Sequence, residues 1–178
     1  MHHLAQLNIA LPREPLTSPL LAGFVAALDP INALADESPG FVWRLQDDDG
    51  DATGIRGFGD ARLIINLTVW ESVESLADFV FRSAHTDVMR QRRQWFDPMP
   101  EAYTVLWWIP AGHIPTIEES EERLDLLRTN GPSPEAFTLR QPYDPPQSVE
   151  PADLRSANQP ASSAEHSSSS TPATTSGR

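Results

Sequence analysis

The chain has 178 residues, a net charge of −12 and no cysteine. That balance argues against a nucleic-acid binder, whose affinity comes from neutralising phosphates, and against a protein drawn to an anionic membrane surface. Without cysteine there is no disulfide, no thiolate nucleophile and no cysteine zinc site. The opening "MHHLAQLNIALPREP" has no basic region followed by an apolar core, and no run approaches the ~18 apolar residues of a membrane span. The expectation is a cytoplasmic protein with neither membrane nor nucleic-acid partners.

The segment "HLAQLNIA" (3–10) alternates as a strand does, and Pro12 and Pro15 end it. Ser18 before Pro19 is a helix start, an N-cap with proline in the first turn. The helical run "LLAGFVAAL" continues to Pro30, which predicts a kink or a restart before "INALADES". Pro39-Gly40 ends it, and "GFVWRLQ" (40–46) reads as a second strand. The acidic, turn-rich "QDDDGDATGIRGFGDAR" (46–62) then leads into "LIINLTVW" (63–70). In this third strand Leu63, Ile65, Leu67 and Val69 share one face, and Ile64, Asn66, Thr68 and Trp70 the other. Bulky residues on both sides predict a strand covered on both faces.

Residues 72–96 read as one long helix and "YTVLWWIP" (103–110) as a fourth strand. Thr116 with Glu119 three residues on is a capping box, so "IEESEERLDLLRTN" is a surface helix that Gly131-Pro132 ends. "EAFTLR" (135–140) predicts a short edge strand. The order is βαββαβ followed by a helix: an α+β domain of ferredoxin-like topology over residues 1–140. One sheet face should carry the helices. The other is apolar as well, which predicts a homodimer formed through that sheet face. From Gln141 the chain turns to Pro, Ser, Thr, Ala and Gln, too poor in apolar residues to offset the entropy of ordering, so 141–178 is expected to be a disordered tail.

Four stretches resemble a known group: "INALADESPGFVWRLQ" (31–46), "NLTVWESVESLADFVFRSAH" (66–85), "RRQWF" (92–96) and "VLWWIPAGHIPTIEESEERLDLLRTNGPSPEAFTL" (105–139). Together they are similar to an uncharacterised bacterial family of the dimeric α/β-barrel superfamily, near the antibiotic-biosynthesis monooxygenases. The likeness spans about residues 3–140 and implies a dimeric α/β barrel. Relatives include cofactor-independent quinone-forming monooxygenases and haem-degrading monooxygenases. The haem-degrading branch uses an asparagine on the first strand, a tryptophan early in the second helix and a histidine later on that helix. Asn8 resembles the first and His85 the third, but Ser75 stands where the tryptophan would be. The implied chemistry is therefore without a cofactor, with haem binding through His85 as the lesser alternative.

On a helical wheel for residues 76–96, Val80, Phe81, Ala84, Val88 and Trp95 form a core stripe. Arg82, Thr86, Arg90 and Arg93 form a solvent face, and His85 and Arg92 fall at one edge of the stripe. This edge makes His85 the candidate catalytic residue, a general base or clamp, with Arg92 holding an anion. The alternative is a boundary histidine bonded to a backbone carbonyl, with Arg92 snorkelling. Asn8, Trp70, Phe81, Arg92 and Trp108 are the expected ligand-binding residues, around a small aromatic or hydrophobic molecule. Among the other patterns, Asp47, Asp49 and Asp51 have calcium-loop spacing, but Ala52 and Phe58 occupy positions where the loop needs glycine and glutamate. "GFG" (57–59) opens no helix, and His85, His113 and Glu71 make no dense ligand motif. The expected function is that of a monooxygenase-like enzyme, the alternative a non-catalytic small-molecule-binding or stress-related dimer.

Overall fold

A computed structural model describes residues 1–147 except 49, 83 and 84, and at 85, 87 and 88 it describes the backbone alone. The calcium-loop reading of Asp49, the core assignments of Ala84 and Val88, and the tail beyond 147 lie outside those residues. The elements in chain order are β1 (His2–Pro12), a 3₁₀ turn (Pro19–Leu21), α1 (Ala22–Asp36), β2 (Phe41–Arg44), β3 (Ile64–Trp70), α2 (Val73–Arg82), α3 (His85–Trp95), β4 (Phe96–Asp97), β5 (Thr104–Pro110) and α4 (Ile117–Asn130).

The sheet is antiparallel, with β1 at its centre between β3 and β5 and β2 outside β3. The two-residue β4 prolongs the β5 edge past Leu11 and Pro12. Outside β5, Phe137 exchanges both backbone hydrogen bonds with Leu106 as an isolated bridge, which is all that forms of the expected edge strand. The order β5-β1-β3-β2 is the ferredoxin-like arrangement, and the α+β fold stands as the sequence implied.

Strand alternation sorts the side chains into two layers. Ala5, Leu7 and Ile9 of β1, Ile65, Leu67 and Val69 of β3, and Val105, Trp107 and Ile109 of β5 share one face, all of them buried. Leu124 and Leu127 of α4 close this face. The apolar face from which a sheet-to-sheet homodimer was expected carries the chain's own last helix. Thr116 caps α4 by accepting from the Glu119 amide, and Gly131, at φ 75°, terminates it. The capping box is half formed, because the Glu119 carboxylate turns to Trp107 instead of to the cap.

The opposite face carries α1, α2 and α3. At one end Leu4, Trp70, Leu76, Leu106 and Phe137 pack into a closed cluster, joined by Phe41, Phe79, Trp108 and Tyr143. At the other end Ala10, Leu21, Trp95 and Phe96 form a smaller one. The long helix of the sequence reading is described in two stretches, α2 and α3, on either side of residues 83 and 84. Phe81, expected in the core stripe, is 64% exposed. Pro30 neither restarts nor ends α1, because its ring lies on the exposed side of a helix that keeps its other bonds. The 18 residues Pro19–Asp36 are, by length and composition, apolar enough to cross a membrane, which revises the reading that no run comes near it. Here Leu21 and Ala35 anchor that stretch to the domain. Gly40 (φ 78°) turns the chain from α1 into β2 where a Cβ would collide with Ser75. The compact unit runs to Pro146, six residues past the expected boundary, because Tyr143 docks. Its carbonyl accepts from Trp108 Nε1 at 2.7 Å and its hydroxyl donates to Pro132 O.

Candidate functional site

Between the two clusters of the helix-side face the helix layer stands off the sheet. Ala35 is the one buried residue of α1. The gap is a cavity of about 140 Å³, close to the about 150 Å³ that holds a benzene molecule in an engineered apolar cavity. Asn8, Ala10, Ile64 and Asn66 of β1 and β3 make its floor. Phe24, Leu28, Ile31 and Asn32 of α1 make one wall, and Met89, Arg92 and Trp95 of α3 with Phe96 another. Arg44, Leu45 and the turn Asp51–Thr53 close the β2 side.

Three carboxamides line this cavity. Asn8 and Asn66 are direct partners across the β1–β3 ladder, so their side chains stand together on the floor. Asn32 faces the cavity from α1. None of the three side chains has a hydrogen-bond partner among the described residues. Asn66 is exposed although it lies in a strand whose other residues are mostly buried, so the cavity opens to solvent above it. The floor changes character one pair further along. Thr68 donates to Gln6 Oε1 at 2.8 Å and accepts from Trp70 Nε1 at 2.9 Å, so these polar groups satisfy one another.

The two lining arginines differ. Arg44 grips Asp36 through Nε (2.9 Å) and Nη2 (3.2 Å) and donates Nη1 to Gly50 O at 2.7 Å, tying the end of α1 to the turn after β2. Arg92 stacks on the Tyr103 ring, 4.3 Å from its centroid, and donates to Ile9 O at 3.4 Å. It has no carboxylate among the described residues.

Of the residues expected from sequence, Asn8 and Arg92 line the cavity. Trp70 is fully buried in the neighbouring cluster, in ring contact with Phe41 and Phe79. Trp108 packs on Phe137, and Phe81 is exposed on α2, so none of these three belongs to the cavity. The side chain of His85 lies outside the described residues. Its position is the first of α3, four and seven residues before Met89 and Arg92, a spacing that keeps to one helical face. Sequence reasoning missed Asn32, Asn66 and Trp95 as lining residues. A lone amide in the apolar run "LIINLTVW" was the available signal.

Two other polar groups are structural. His113 Nε2 lies 2.7 Å from Glu119 Oε2, and Trp107 Nε1 donates to Glu119 Oε1 at 2.8 Å. Burial works against the Glu119 charge, but the bonds from His113 and Trp107 outweigh it and hold the carboxyl below its usual range. Among the described residues no three His, Asp or Glu side chains group to hold a metal. A second cavity, of about 300 Å³, lies by α4 among Phe58, Leu63, Met99, Glu121, Asp125 and Arg128. Its charged groups are engaged: Arg128 pairs with Asp125 and donates to Ala102 O, and Glu121 accepts from the Phe58 amide.

Residues 3–153 match the family described as Domain of unknown function (DUF3291). The chain belongs to that family. No curated protein matches it. A solved structure of a candidate antibiotic biosynthesis monooxygenase from Chloroflexus aurantiacus J-10-fl is similar over 62% of this chain and 96% of its own, at 18% identity and a TM-score of 0.40.

Proposed function

We propose that this DUF3291 protein binds a small, flat, largely apolar molecule in the cavity under α1 and α3 and oxidises it with molecular oxygen, using no cofactor of its own. The observation that carries the binding half is the cavity itself. It is apolar on its walls and holds three amides with no partner among the described residues, and polar groups so placed are satisfied by a ligand or by water. The size matches a single aromatic ring with its substituents.

The oxidation half draws on the sequence resemblance to the monooxygenase neighbourhood and on the place of His85 at the start of α3. In this reading His85 takes a proton from an activated ring CH₂. The carbanion reduces oxygen, and the resulting peroxide collapses to a carbonyl. Both hydrogens then leave with one oxygen atom as water. A substrate of that size carrying such a CH₂ would consume one O₂ per molecule and carry one labelled atom from ¹⁸O₂ into product, and His85→Ala would abolish the uptake while leaving binding in place.

A binding-only role has one observation in its favour. Apart from the arginines, Asp51 is the sole charged side chain among the described lining residues, and its Oδ1 already accepts from the Thr53 amide. Saturable binding with no oxygen uptake over a panel of such substrates would decide for that role.

A further inference from the structure

The charge on Arg92 indicates what kind of molecule the cavity takes, an inference that rests on the binding half of the reading above. Arg44 and Arg92 line the same cavity, yet Arg44 is spent on Asp36 and Gly50. Arg92 is half-buried and its one hydrogen-bond acceptor among the described residues is the Ile9 carbonyl, at 3.4 Å. A guanidinium has five N–H donors in a planar fork, so most of this one's capacity is uncommitted. In a chain of net charge −12, carboxylates are plentiful, but none described meets it. The ring of Tyr103 at 4.3 Å holds the fork in plane and shields one of its sides. A half-buried cation without an anion is costly unless its partner arrives with the ligand.

We propose that the ligand is an aryl carboxylate whose carboxylate is received by Arg92. Two parallel N–H···O bonds match a carboxylate better than any neutral oxygen. The ring then lies against Ile64 and the aromatic walls, and Asn8 and Asn66 take its polar substituents.

Benzoate and its neutral isostere benzamide, titrated by calorimetry into the full-length protein, test this. Benzoate should bind saturably and at least about tenfold more tightly than benzamide, a gap of about 1.4 kcal/mol. Arg92→Gln should remove that preference and leave benzamide within about twofold, while Arg92→Lys, which keeps the charge and loses the fork, should retain part of it. Circular dichroism confirms that each variant is folded. Equal affinity for the two probes, or a preference that survives in Arg92→Gln, overturns the charge assignment and leaves the cavity reading standing. If neither probe binds saturably, or if filling the cavity by Ala27→Trp leaves benzoate binding unchanged, the cavity reading fails as well.

Discussion

The two faces of the same three strands do opposite work. On the α4 side Leu7, Leu67 and Val105 are fully buried, and Trp107 is buried down to an indole N–H that finds Glu119. On the helix side the alternate residues are Asn8, Asn66 and Thr104, and α1 above them buries one of its fifteen residues. One face spends its apolar surface on cohesion. The other leaves three exposed or half-buried amides without a partner among the described residues, whereas the charged groups at the α4-side cavity are engaged. The difference is made one residue apart along β1 and β3, by the period of two.

The largest test of the contrast is on the closed side. Trp107→Ala removes a fully packed side chain and the indole donor to Glu119 Oε1, and should cost about 3–5 kcal/mol in chemical denaturation. A loss under about 1 kcal/mol would mean that α4 does not seal this face.

A smaller loss is expected where the helix side is closed, at its Trp70 end. Truncation after Arg140 removes Tyr143, leaves Trp108 Nε1 without its acceptor and should cost about 1–3 kcal/mol. Truncation after Gln147 should leave the melting temperature unchanged, and a drop there would extend the domain beyond Pro146.

On the open side, Asn66→Leu exchanges an unpaired amide for a methyl-rich side chain and should change stability by less than about 1 kcal/mol, in either direction. Ligand binding should fall all the same. A large destabilisation would make Asn66 part of the core.

The smallest effect is in acid. Glu119 has its carboxyl held below the ordinary value of 4.5 in the folded protein. Its contribution is therefore present above that value and fades as pH falls through the lower, folded one. Urea midpoints should decline over that acid range, and Glu119→Gln should flatten the decline. An unchanged slope would show the His113–Glu119–Trp107 contacts to be energetically idle.

The strands were legible because burial on both sides leaves near-continuous apolar runs such as "LIINLTVW". The helix starts at Ser18 and Thr116 were legible from short-range capping chemistry. The exposure of Phe81 was not, since an apolar residue beside Val80 on the wheel reads as core. The cavity was half legible. Asn8 and Arg92 were found, whereas Trp70 and Trp108 share the composition of pocket residues and differ only in what the folded chain brings against them. For Trp108 that is Tyr143, 35 residues on. The role of α4 was equally hidden, because its buried stripe, Ser120, Leu124 and Leu127, is narrow, and the surface-helix reading fits the rest.

The most direct test of the central claim is a ¹⁵N chemical-shift map of benzoate binding. Saturable shifts should be confined to the cavity: the side-chain amides of Asn8, Asn32 and Asn66, the Arg92 Nε–H and the Trp95 indole, with Trp107 and the α4 amides still. Shifts centred on α4, or spread without saturation, would contradict that claim.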